Sequence, residues 1–376
     1  MNRAMSTVND IGVDKEEIEG LDESPSEGWG EYPLDTVFVR TEQRTVADVV
    51  SRIKKGRYQL DPDFQRDFVW PSIKQSRLIE SSLMRIPLPV FYVAEDVDGK
   101  IIVVDGLQRL TTFYRYINNE FALKGLENAD PDNIISGKKF DQLPLHLQER
   151  IEDTQLTLYI LDPKAPERAR LDIFDRVNSG MPLTKQQMRN CLYTGKATAW
   201  LKNASQNIAF KKATGESLQS KTMRDREVIN RFCAFYLFGY EEYKGDMEEF
   251  LASALRKMNT MPSEELDHMM QRFIESMIAN YSLFGKHAFR KSAGSDTQNS
   301  SKTVINISLF DVFSVFFAKR SESLNNTEPD FIKTFIQEMM NDTQFNNSIS
   351  YSTNNTRQVR KRFEFSRAKM REAGIC

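Results

Sequence analysis

The stretch "IIVVDGLQRLTTFYRYI" at 101–117 carries an apolar strand into a helix through Asp105, Gly106, Leu107, Gln108 and Arg109. A helix that starts at Gln108 presents unpaired backbone N–H groups and the positive end of its dipole. Gly106 lets another group approach the backbone closely, and Arg109 adds a planar fork matched to phosphate or carboxylate. Strand, glycine, helix start and arginine together describe a seat for an anion. Asp105 has three uses at such a join: ligand of a divalent cation, orienter of a water, or partner of Arg109. The last makes the join an ordinary structural turn, and spacing alone leaves all three open.

Two further clusters carry similar chemistry. "PDFQRDFVW" sets Gln65, Arg66 and Trp70 in an extended segment ahead of a helix, an amide, a guanidinium and an aromatic plane suited to gripping a phosphate and stacking a base or sugar. The plain alternative is a Trp in the core with Arg66 at the surface. The pairs 65–66 and 108–109 repeat the same Gln-Arg order, each before an apolar helix. In "FDRVNSGMPLT", Asn178 and Gly180 occupy a turn between two helices, read either as a plain corner or as a third wall of one pocket. Near the chain's end, "TRQVRKRFEFSRAKMR" puts Arg357, Arg360, Lys361 and Arg362 among aromatics, a solvated helix face or a strip that contacts DNA phosphates.

The elements that must position these groups follow from local signals. "TVFVRTEQR" alternates as a strand does, and Thr45 caps a short helix that ends at Gly56. Pro71 opens a helix striped by Ile73, Leu78, Ile79 and Leu83. "LPVFYVAEDVDGKIIVVDG" predicts a hairpin turning at Asp98-Gly99, and a helix over 108–119 follows it. A short helix and a strand come next, then a helix in "APERARLDIFDRV", and Thr184 with Gln187 offers a capping box to the one after. Beyond about 195 strand signals fade and helical spacing takes over. The expected fold is α+β: a small mixed sheet with helices over 35–195, then an all-helical domain over 196–376, behind a disordered acidic tail at 1–34.

Bulk composition limits the classes. With 40% apolar and 11% aromatic residues, the 376-residue chain can bury sizeable cores. No apolar run spans a bilayer, and the polar, acidic N-terminus has no secretory apolar region. Three distant cysteines, Cys191, Cys233 and Cys376, argue against a disulfide framework and fit a reducing, cytoplasmic setting. Three scattered histidines, His146, His268 and His287, make no metal-ligand spacing and read as surface or half-buried side chains. A net charge of −2 gives no global basic signature, yet a local basic face suffices for nucleic acid.

Four ordered pieces, "DFQRDFVW", "LIESSLMRIPLPVFYV", "VVDGLQRLTTF" and "IFDRVNSGMPLTKQQMRN", resemble the GmrSD-type restriction endonuclease N-terminal domain family, marked by a D-G-Q-Q-R motif. Weaker likeness runs through "DREVINRFCAFYL" and "SLFDVFSVFF", so the resemblance covers roughly 37–370. It implies a ParB/sulfiredoxin-like fold for the first domain and a role in bacterial defence against phage, with nucleoside triphosphate hydrolysis coupled to recognition or cutting of foreign or modified DNA. By motif it assigns catalysis to Asp105, Gln108 and Arg109, and nucleotide contacts to Gln65, Arg66, Trp70, Gly106, Thr111, Asn178 and Gly180. Mg²⁺ would sit at Asp105. Leu107 replaces the first glutamine of the motif, and its place on the strand-to-helix turn predicts that it faces inward. No His-Asn-His-type nuclease pattern is present, so cutting would fall to a separate nuclease subunit or to carboxylate–metal chemistry at Asp105. A DNA-binding adaptor without catalysis is the rival expectation, a direct nuclease a further one; a homodimer is compatible with either.

Overall fold

The computed structural model describes residues 18–21, 39–60, 70–96, 98–126, 134–177, 184–220, 222–294, 301–324 and 329–372. The chain divides into two compact units, one over 24–194 and one over 195–376 together with residues up to 23. The first is mixed α+β and the second helical, as the periodicities predict.

In the first unit, β1 (Val39–Thr45), β2 (Tyr58–Gln59), β3 (Phe91–Glu95), β4 (Ile101–Asp105) and β5 (Gln155–Leu161) form one sheet in the order β1-β5-β3-β4-β2. The β3–β4 hairpin is antiparallel, closed by Gly99 at φ +74°, and β3 runs parallel to β5. Strand β4 reads as an unbroken apolar run because both faces are covered. Ile101 and Val103 join Phe91, Val93, Leu158 and Ile160 in a core under α1 (Val46–Lys54), α2 (Ser72–Leu83), α3 (Leu107–Ile117) and α4 (Leu145–Glu152). Ile102 and Val104, pointing the other way, pack with Phe174, Met188 and Cys191 from α5 (Glu167–Val177) and α6 (Lys185–Leu192).

Local caps hold as read. Thr45 Oγ1 accepts from Asp48 N at 3.1 Å, and Thr184 with Gln187 forms a reciprocal box. Leu78, Ile79 and Leu83 bury the stripe of α2, but Ile73, expected with them, is exposed and lies against Gly125 instead.

The second unit contains α7 (Lys196–Gln206), α8 (Ile208–Thr214), α9 (Arg224–Phe238), α10 (Met247–Thr260), α11 (Ser263–Phe284), α12 (Ile307–Leu324), α13 (Pro329–Asn341), α14 (Thr343–Ser350) and α15 (Thr356–Glu372). Its core centres on aromatics such as Phe232 and Phe273, 4.9 Å apart. Residues 18–21, inside the stretch read as a tail, pack here: Ile18 is buried, Glu19 bridges to Asn306, and its carboxylate meets Lys291 Nζ at 2.5 Å. His287 is likewise deeper than expected, buried with Nδ1 2.9 Å from Ser292 Oγ. Among the described residues no helix is long and apolar enough to cross a membrane.

Candidate functional site

The turn after β4 is built around one glycine. Gly106 takes φ +99° as the N-cap of α3, and a Cβ there would overlap Phe91 Cδ1 and stand 2.9 Å from Cε1. Only glycine adopts this backbone beside a buried ring without strain. Leu107 faces inward and joins the core, so the residue that departs from the family motif does packing work. As a glycine, the N-cap has no side chain with which to cap the helix. Thr112 folds its hydroxyl back onto Gln108 O at 2.7 Å, while Gln108 and Thr111 are half-buried.

Arg109 is tied down from several sides. Its guanidinium donates to Pro89 O, to Val90 O at 3.1 Å and to Asp105 Oδ2 at 2.8 Å, and it lies over the Phe91 ring with 4.3 Å to the centroid. Desolvation holds its pKa below the ordinary arginine value, against the raising effect of Asp105. The Asp105–Arg109 pair is therefore present, and Arg109 acts first as a positioning group. It fixes the strand start at 89–91 and the carboxylate together. The Asp105 side chain stays 39% exposed against 12% for Arg109, so the carboxylate is the member of the pair open to an incoming ligand.

The remaining predicted residues divide. Trp70 precedes α2, packs partly buried against the same core as Leu107, carries Lys74 Nζ 4.5 Å from its ring centroid, and accepts from Gln75 Nε2 through its carbonyl at 2.8 Å. Gln65, Arg66, Asn178 and Gly180 lie outside the described residues. A few positions further along the chain, α6 buries Gln186, Arg189 and Asn190. Gln186 bridges them, donating to Asn190 Oδ1 at 2.8 Å and accepting from Arg189 Nε at 3.0 Å. This polar cluster was not singled out from the sequence, although three polar residues within five positions on a capped helix were the available signal.

On α15, Arg357 and Arg360 are exposed and Lys361 is half-buried, compatible with a phosphate-contacting strip. Arg362 is not part of it. It is fully buried, donating to Asp311 Oδ2 at 2.9 Å and to Thr353 O at 2.5 Å. The buried positions Val359, Arg362, Phe363, Ser366 and Met370 follow helical spacing, which sets Arg362 on the inward stripe.

A Mg²⁺ that arrives with a polyphosphate needs only one or two protein carboxylates. Asp105 supplies one, and no group of three potential ligands occurs among the described residues.

Residues 46–194 match the family model described as GmrSD restriction endonuclease, N-terminal domain. The match lies within the first unit, beginning just after β1, and stops short of the helical one, narrower than the 37–370 read from motifs. No curated protein matches the chain.

Proposed function

We infer, from the match of residues 46–194 to the GmrSD restriction endonuclease N-terminal domain model, that this protein serves restriction-type defence against phage. Within that role we assign it nucleoside triphosphate hydrolysis coupled to recognition of foreign or modified DNA, with strand cutting supplied by a separate nuclease. The observation that carries the nucleotide reading is the turn itself. A half-exposed carboxylate, locked by Arg109, stands beside a glycine in the left-handed region that, as N-cap, brings no side chain of its own to the first turn of α3. Such a helix end favours a phosphate through its N–H groups and dipole.

In this reading one terminal phosphate rests on the first turn of α3, and Asp105 orients the attacking water and takes its proton. Arg109 keeps the carboxylate aimed, while Arg66 and Gln65 complete the phosphate grip, with Trp70 offering a stacking plane. Mg²⁺ bound with the substrate would neutralise charge on the phosphates. Phosphoryl transfer of this kind depends on positioning and charge stabilisation, and loss of one stabilising donor costs about 10²–10³ in rate.

The test is phosphate release by the purified chain from each nucleoside triphosphate, with and without DNA. Turnover that disappears in Asp105→Ala and Asp105→Asn, with the fold intact by circular dichroism, supports the assignment. A wild type with neither turnover nor nucleotide affinity refutes it. The exposure of Arg357 and Arg360 favours one second reading, a DNA-binding adaptor. DNA affinity that falls log-linearly with salt, is weakened by Arg357→Gln with Arg360→Gln, and comes without hydrolysis would establish that instead.

A further inference from the structure

The helical unit holds a cleft that the nucleotide reading does not use. Helices α9, α12 and α15 enclose about 350 Å³. Its floor is apolar, made by Phe235, Val312, Val315 and Phe363, all buried. One side is an aromatic stack: the rings of Tyr240 and Phe363 lie 5.1 Å apart and within 11° of parallel. The rim is charged, with Lys319, Arg367 and Glu241. Protein interiors rarely leave voids larger than a water, whereas ligand sites begin at roughly 300 Å³ with an apolar lining and a few placed polar groups.

The rim charges do not cancel. Arg367 Nη1 reaches Glu241 Oε1 at 3.7 Å, a loose pair with both side chains half-exposed. Lys319 makes no ion pair or hydrogen bond among the described residues; its ammonium lies 5.7 Å from the Tyr236 ring centroid. Two cations against one carboxylate leave one positive charge at the mouth of an aromatic slot. Desolvation beside the rings lowers the Lys319 pKa; Glu241 raises it and Arg367 lowers it further.

We propose that this cleft binds a small molecule with a planar aromatic body and a single anionic group, its ring against the Tyr240–Phe363 stack and its anion on Lys319. Nucleoside monophosphates and aromatic carboxylates share that chemistry. The site is separate from the Asp105 turn and stands or falls independently of it.

The test is calorimetric titration of the full chain with adenosine monophosphate, 2-naphthoate and uncharged adenosine. Saturable one-to-one binding of at least one anionic probe is expected, with adenosine about tenfold or more weaker. Lys319→Gln, at an exposed position, keeps the fold and weakens the anionic probe by a similar factor. Phe316→Ala at the half-buried edge of the slot weakens charged and uncharged ligands alike. Preference for the nucleotide or for the naphthoate identifies the source class. The proposal is overturned if neither anion binds at millimolar concentration, if Lys319→Gln leaves the affinity unchanged, or if binding is lost in Asp105→Ala and kept in Lys319→Gln.

Discussion

Gly106→Ala isolates the geometry on which the candidate site rests. At φ +99° an alanine pays for a left-handed backbone, about 1–2 kcal/mol. The new Cβ also overlaps Phe91 Cδ1 and lies 3.2 Å from Arg109 Nη2, and Phe91 is fully buried beneath that guanidinium. Forcing a buried ring aside costs a further 1–3 kcal/mol or so, for a total of about 2–5 kcal/mol. The natural control is Gly56→Ala, where φ is +69° and nothing lies within 4 Å of the added Cβ. That variant carries the backbone cost alone, about 1 kcal/mol. Urea unfolding of both variants, followed by phosphate release at a temperature where each is folded, separates the two terms. Gly106→Ala should lose both stability and turnover, because displacing Phe91 unseats Arg109 and with it Asp105, while Gly56→Ala keeps turnover. Equal destabilisation of the two variants would refute the close-packing argument.

Two further outcomes concern charges. Asp311 is the carboxylate of a buried cluster, accepting from Arg231 Nε at 2.9 Å, Arg231 Nη2 at 2.6 Å and Arg362 Nη2 at 2.9 Å. Asp311→Ala strands two buried guanidinium groups and should cost about 3–5 kcal/mol in denaturant unfolding, whereas Arg362→Met leaves a neutral pair and should cost less; the reverse order would contradict the assignment. Asp48 is desolvated, which raises its pKa, yet hydrogen bonds from Arg44 and Arg52 hold it below the ordinary aspartate value. A depressed folded-state pKa gives stability that is present above the unfolded value and lost as pH falls through the folded one. Unfolding midpoints of Asp48→Asn should therefore change less than wild type below about pH 4, and parallel curves would exclude the effect.

What the sequence disclosed was mostly local. Thr45, Asp98-Gly99, and Thr184 with Gln187 each act within a few residues, so their caps and turns could be read directly. Leu107 was legible for the same reason: a side chain one residue past a strand-end glycine has little choice of direction. Long-range pairing was hidden. Nothing in "VRTEQRT" says that Val39 will pair with Leu161, or that β3 will lie parallel to β5. Arg109 looked available because its acceptors, the carbonyls of Pro89 and Val90, carry no side-chain signature. Arg362 looked like surface charge because its counterion, Asp311, lies on another helix. Its position three residues after Val359 was the clue, and composition outweighed it. Ile73 shows the converse, an apolar residue on the right stripe left exposed at a helix start.

The Asp105 turn as a nucleotide seat is best judged by backbone hydrogen exchange of the full chain, with and without nucleoside triphosphate and Mg²⁺. Slowed exchange concentrated in peptides covering 103–111, and lost in Asp105→Ala, is the predicted result. Unchanged exchange there at saturating nucleotide, or protection confined to the helical unit, would contradict it.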